Sequence, residues 1–149
     1  MNKKAYRIYL DVCCLNRPFD DLSNDRVRIE ADAVLTILLR CRNGSWTLQT
    51  SDVIIREMSR QTDAFRKEKI EAFLSTATEE LKTAASTVAK AEAFQKNGIK
   101  IFDSYHLAVA DENGCDVLLT TDDRFLKKAA KQEINIKVAN PDIWLLEVI

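Results

Sequence analysis

No stretch of the 149-residue sequence is long and apolar enough to span a membrane, and the Met-Asn-Lys-Lys start leads into no signal-type segment. Membrane and exported classes are set aside on that ground, and a cytoplasmic protein with no membrane partner is expected. Neither sign of charge is in excess: 22 Lys and Arg stand against 23 Asp and Glu, a net charge of −1. No global field then attracts nucleic acid, and any such binding needs a local basic patch. Thiol motifs for zinc are missing too. Cys13, Cys14, Cys41 and Cys115 form no Cys-x-x-Cys pair, and the one histidine, His106, has no cysteine at zinc-finger spacing. Cys13 and Cys14 are neighbours whose side chains diverge from an extended backbone, which disfavours a bridge between them. The thiols read as reduced, small apolar side chains. Repeats, low-complexity tracts and flexible linkers are also lacking, so residues 1–149 are expected to form one compact domain.

What is present is an alternation of strand and helix patterns. Residues 6–11 (YRIYLD) read as a strand, followed by a turn at Asn16-Arg17-Pro18. Ser23 or Asn24 caps a long helix in which Val27, Ala31, Val34, Leu35, Leu38 and Leu39 recur at helical spacing, and Gly44 ends it. A strand at 46–50 leads to a helix capped by Ser51-Asp52 and carrying Val53, Ile54 and Met58. A helix over about 63–76, with Phe65, Phe73 and Leu74 on its apolar side, precedes a short strand at 80–85. Ser86 caps the next helix, which stops near Asn97-Gly98; residues 102–113 form another, closed by Gly114, with Phe102, Leu107 and Ala110 inward. Then come an apolar strand at 116–121, a helix at 122–131, a strand at 135–139 and a last helix from Pro141. Parallel neighbours need right-handed helical crossovers, so this order predicts an α/β protein: a three-layer α/β/α arrangement with a central, mostly parallel sheet of four or five strands.

In such sheets ligands bind beyond the carboxyl ends of the strands, where strand order reverses. Asp11 ends the first strand, and Thr120, Thr121, Asp122 and Asp123 end the one that begins at Asp116. Asp103 stands at a helix start, where exposed amides tolerate a carboxylate, and Glu57 lies in the helix after the second strand. If the first and 116–121 strands are neighbours, three or four carboxylates converge on one crevice. Crowded carboxylates repel, and an oxygen-only cluster suits Mg²⁺ or Mn²⁺. An ion so held can activate water and neutralise the charge developing on a phosphodiester.

At these residues the sequence resembles the PIN-domain family of metal-dependent ribonucleases, which includes the toxins of VapBC-type toxin–antitoxin pairs. The matching segments are YLDVCCLNRPFDD at the front, SDVIIREMSR at 51–60, GIKIFDSYHLAVA at 98–110 and DVLLTTDDRFLKKA at 116–129. The opening resembles a subgroup in which Cys-Cys-Leu-Asn-Arg-Pro-Phe-Asp-Asp follows the first acid. The resemblance implies that Asp11, Glu57, Asp103 and Asp122 are catalytic and hold the metal, and that Thr120 helps order a metal-bound water. It also implies RNA as substrate, a small antitoxin as partner, and a homodimer. Many relatives carry Thr and then Asn after the first acid; Val12 and Cys13 stand there here, which loosens the surroundings of Asp11.

Other residues carry two readings each. His106, three residues after Asp103, is either a general base or a partly buried structural histidine bonded to a backbone carbonyl, the second being preferred. Arg17 either holds a phosphate or is a solvated turn residue. Asp123 is read as a solvated first-turn acid. Glu30 and Asp32 are read as surface positions, with Glu30 able to approach the site. Lys127, Lys128 and Lys131 are read as a solvated helix face, a nucleic-acid path being the alternative. The expected function is divalent-metal-dependent RNA hydrolysis; the alternative is a weak or inactive PIN scaffold that binds RNA or protein. A dehalogenase-type phosphatase is disfavoured because Cys13 occupies the place of its second acid, and a phosphate-receiving regulatory domain because no convincing Asp–Lys pair is present.

Overall fold

A computed structural model describes residues 4–149; Met1, Asn2 and Lys3 of the Met-Asn-Lys-Lys start lie outside the described residues. Five strands form one parallel sheet: β1 (Arg7–Leu10), β2 (Thr47–Ser51), β3 (Glu79–Leu81), β4 (Val117–Leu119) and β5 (Lys137–Ala139), in the order β3-β2-β1-β4-β5. The α/β/α arrangement with a parallel central sheet is as expected. β1 pairs with β2 in the register Ile8↔Leu48 and with β4 in the register Ile8↔Val117. The chain therefore runs outward from β1 through β2 to β3, then crosses back to place β4 on β1's other side. Strand order reverses at the β1–β4 boundary, where the Asp11 amide also donates to the Leu119 carbonyl (3.2 Å). Ile8, Tyr9 and Leu10 are all fully buried, because the central strand of a covered sheet has no solvent face.

Eight α-helices flank the sheet among the described residues: α1 (Val12–Asn16), α2 (Asp25–Arg42), α3 (Asp52–Met58), α4 (Ala64–Leu74), α5 (Ala85–Lys96), α6 (Ile101–Glu112), α7 (Asp123–Ala129) and α8 (Pro141–Val148). α2 packs on α8, α5 on α6, and α3 on α6. None is long and apolar enough to cross a membrane. Asn24, rather than Ser23, caps α2 by accepting from the Val27 amide (3.1 Å). Its inward face is Ala31, Ala33, Val34, Ile37, Leu38 and Cys41, while Leu35 and Leu39 face outward, Leu39 being 61% exposed. The stripe inferred from leucine spacing was thus too wide, because Ala33, Ile37 and Cys41 fill part of it. In α4 the buried residue is Ile70, and Phe65 is exposed.

Three local expectations change. Asn16-Arg17-Pro18 is not an open turn: α1 runs to Asn16 and a 3-10 turn spans Arg17–Phe19, where proline's fixed φ suits a first helical position. α5 begins at Ala85, before the expected Ser86 cap; the Ala84 amide donates to the Thr87 hydroxyl (2.9 Å) instead. β3 ends at Leu81, short of residue 85, because Asp52 captures the Thr83 amide (2.8 Å). Gly114, with φ 65, closes α6 in a conformation that a side chain would strain.

Candidate metal centre

Asp11 leaves β1 and caps α1: its Oδ1 accepts from the Cys14 amide (3.0 Å) and the Cys13 thiol (2.8 Å). It is 3% exposed, and burial, followed by the neighbouring Cys13, pushes its carboxyl well above the usual range. Across the switch point, Asp122 leaves β4 and caps α7, with Oδ1 accepting from the Arg124 (2.9 Å) and Phe125 (3.2 Å) amides. The Thr120 hydroxyl accepts from the Asp122 amide (3.1 Å) and so fixes this turn. Asp103 sits in the first turn of α6, and its carboxyl is pushed up to about 6. Burial is the main cause, the field of Asp11 the next; His106 pulls the other way, and Asp122 and Glu57 add to the rise.

Glu57 extends from α3 to His106 Nε2 (2.7 Å). His106 is 1% exposed, and its Nδ1 meets the Tyr9 hydroxyl at 2.5 Å, which in turn meets Ser51 Oγ at 2.7 Å. Ser51 Oγ accepts from the Ile54 amide (3.0 Å) as the cap of α3. A neutral imidazole facing a carboxylate keeps its proton on that side. In the tautomer with Nε2–H donating to Glu57, Nδ1 accepts from Tyr9 O–H and Tyr9 accepts from Ser51 O–H. The preferred sequence reading of His106 is corrected: it is buried, but side chains rather than a backbone carbonyl hold it. Tyr9 reads in sequence only as a core position of a strand, and Ser51 only as a cap; neither pattern carries a signal for the chain they complete.

Asp11, Glu57, Asp103 and Asp122 all line one cleft of about 1110 Å³ beyond the carboxyl ends of β1, β2 and β4. Among the described residues none of the three aspartates makes an ion pair with Lys or Arg. Asp11 is buried and Asp103 and Asp122 are half-buried; without a basic partner they lack a counter-charge, which a hard dication would supply. No three carboxylates meet in a single tight group among the described residues; the set that does is Asp11, Cys13 and Cys14, whose ligand atoms lie within 4.8 Å of one another. An oxygen-rich cleft of this kind fits a hard dication such as Mg²⁺ or Mn²⁺, which takes carboxylates and keeps several of its waters. Arg56, Arg60 and Lys100 are exposed and line the same cleft as Phe102 and Tyr105, with the Arg60 guanidinium over the Phe102 ring, 5.2 Å from its centroid. These basic residues were missed in sequence, although Arg56 and Arg60 are four apart, Arg56 in the last turn of α3 and Arg60 just past its end.

Several candidates lie elsewhere. Arg17 is outside the cleft: its Nε donates to Glu30 (2.9 Å) and its Nη1 to Asp20 (3.1 Å), so both the phosphate and the solvated-turn readings give way to a structural one. Glu30 is no surface residue; it is 1% exposed and also accepts from Arg26 (3.3 Å) and Asn140 (2.6 Å). Asp123 is exposed as expected, and Arg26 grips it with two bonds of 2.8 Å. Lys128 donates to the Gly98 carbonyl (2.6 Å). Cys14, Cys41 and Cys115 are buried thiols, as read, whereas Cys13 faces the cleft.

A parallel α/β sheet with an acid-lined cleft at its switch point defines the class. The family model described as PIN domain matches residues 8–131, and the chain belongs to the PIN domain family. Two similar solved structures share the fold. One is VapBC2 from Rickettsia felis bound to a DNA fragment from their promoter, with 15% identity, TM-score 0.58, and coverage of 90% of this chain and 98% of that one. The other is PAE2754 from Pyrobaculum aerophilum, with 16% identity, TM-score 0.55, and coverage of 98% and 91%. No curated protein matches the sequence.

Proposed function

We propose that the protein is a divalent-metal-dependent endoribonuclease, the toxin of a toxin–antitoxin pair, with Asp11, Glu57, Asp103 and Asp122 holding Mg²⁺ or Mn²⁺. The observation that carries this reading is that four carboxylates line one cleft, three of them without a basic partner among the described residues. Membership of the PIN family supports nuclease chemistry. The ion, when bound, activates water and offsets charge developing on the phosphodiester. The chain's own groups do the rest. The Asp103 carboxyl is pushed up in the metal-free cleft by burial and the field of Asp11, a crowding that a bound dication would relieve. His106 donates to Glu57 and keeps that carboxylate turned into the cleft. Arg56, Arg60 and Lys100 bind phosphates on either side of the scissile bond, and the Phe102 and Tyr105 rings offer stacking faces to unpaired bases. An antitoxin is the partner, by analogy with the VapBC2 complex, and the working form is a homodimer.

The test is Mn²⁺-dependent cleavage of single-stranded RNA by wild type and Asp11→Asn. The variant is expected to lose cleavage while its metal-free melting temperature stays level or rises, since a crowded buried acid has been neutralised. Undiminished cleavage by the variant overturns the assignment. Val12 and Cys13, which bring no hydroxyl or amide to Asp11, favour a second reading as an RNA-binding scaffold. RNA binding by wild type with no cleavage in Mn²⁺ would select it.

A further inference from the structure

We infer that Cys13 is itself a metal ligand, making the centre a mixed carboxylate–thiolate site that favours borderline dications such as Co²⁺, Fe²⁺ and Zn²⁺ over Mg²⁺. The inference rests on the proposed metal centre and adds a donor atom to it. Asp11, Cys13 and Cys14 bring three ligand atoms within 4.8 Å of one another. Cys14 is fully buried, but Cys13 lines the cleft where an ion enters. The helical start of α1 places residue 13 over residue 11, with Sγ 2.8 Å from Asp11 Oδ1. Thr121 Oγ1 donates to the same sulfur at 3.2 Å, and Thr120 Oγ1 stands 3.4 Å from it. The sulfur is thus held by two hydroxyls beside the carboxylate, rather than packed as an apolar filler. On metal binding the S–H bond breaks, the sulfur's electron pair forms the metal–sulfur bond, and the proton leaves to water. Asp11 then turns from accepting the thiol proton to sharing the ion. Thiolate donors select softer ions than oxygen donors do, whereas Mg²⁺ gains little from sulfur.

Full-length protein, reduced and stripped with chelator, is titrated with Co²⁺ and followed by near-ultraviolet absorption and calorimetry. A sulfur-to-cobalt charge-transfer band is expected in wild type and in Cys115→Ser, whose thiol is bonded to Gln49 far from the cleft. The band should vanish in both Cys13→Ser and Cys13→Ala, with Co²⁺ affinity falling about tenfold or more, because changes even one shell out cost that much. Mg²⁺ affinity should stay within about threefold, which also shows that the variants fold. Tight Co²⁺ binding without the band, or a band that survives both substitutions, overturns the role of Cys13 and leaves the metal centre standing. Failure of wild type to bind Co²⁺, Mn²⁺ or Mg²⁺ at all overturns the centre itself.

Discussion

Asp103→Asn should make the metal-free protein more stable, and only above mildly acidic pH. The folded chain raises the Asp103 carboxyl from the ordinary 3.8 to about 6, through burial and the fields of Asp11, Asp122 and Glu57. A group that holds its proton more tightly when folded favours folding below its unfolded pKa and loses that advantage as pH climbs through the folded one. The loss from Asp103 therefore runs from about pH 4 to about pH 6 and is complete at neutrality. At about 1.4 kcal/mol per pKa unit, the gap corresponds to roughly 3 kcal/mol at most. Asp103 is only partly buried, so screening by water brings the working figure to about 1.5 kcal/mol, or roughly 3–6 °C in melting temperature for a domain of this size. Asp11 is shifted in the same direction and contributes its own slope to wild type. Asp116 and Asp123 are shifted downward, so their contributions change below pH 4, outside this window. The assay is urea unfolding in chelator at half-unit steps from pH 4 to pH 7, wild type against Asp103→Asn. The two curves should coincide near pH 4 and separate by about 1.5 kcal/mol at pH 7. Parallel curves across the whole range would refute the electrostatic account of the cleft.

Glu30→Ala removes the carboxylate that Arg17, Arg26 and Asn140 share, leaving Arg17 with Asp20 alone and the buried Asn140 amide without its acceptor; urea unfolding should show a loss of about 1–3 kcal/mol. Tyr9→Phe deletes the donor to His106 and the acceptor for Ser51, at a cost of roughly 1–2 kcal/mol. Because His106 is the chain's one histidine, nitrogen NMR reads its tautomer without ambiguity: wild type should carry the proton on Nε2, and a proton on Nδ1 contradicts the hydrogen-bond directions assigned above. Arg60→Ala should weaken RNA binding about equally across sequences and lower the salt dependence of log K by about one; a change in sequence preference instead would mean that Arg60 touches bases.

Strand and helix order was legible because the signals were local: the apolar strands around Ile8 and Val117, the caps at Asn24 and Ser51, and the glycines after α2, α5 and α6. Asp11 and Asp122 could be placed together because a parallel sheet has a known binding edge, Asp11 directly following β1 and Asp122 coming three residues after β4. Glu30 could not be read correctly, since its burial depends on Asn140, 110 positions away, and an isolated glutamate on a helix looks solvated. Arg17 failed for the same reason, its partner Glu30 being hidden with it. His106 was legible as buried, but its partners Tyr9 and Glu57 come from different elements. Cys13 was read by its residue type alone; only the α1 turn, too short to show periodicity, reveals that its sulfur faces Asp11.

The central place of β1 has a consequence for synthesis of the chain. Its pairing with β2 joins residues about 40 apart, but its pairing with β4 waits for residues 117–119. Until residues 117–122 have left the ribosome, Asp11 has no Asp122 across from it and the cleft lacks one wall. A product that ends before residue 122 consequently lacks one of the four acids, and assembly of the cleft requires the closure of a loop of more than a hundred residues.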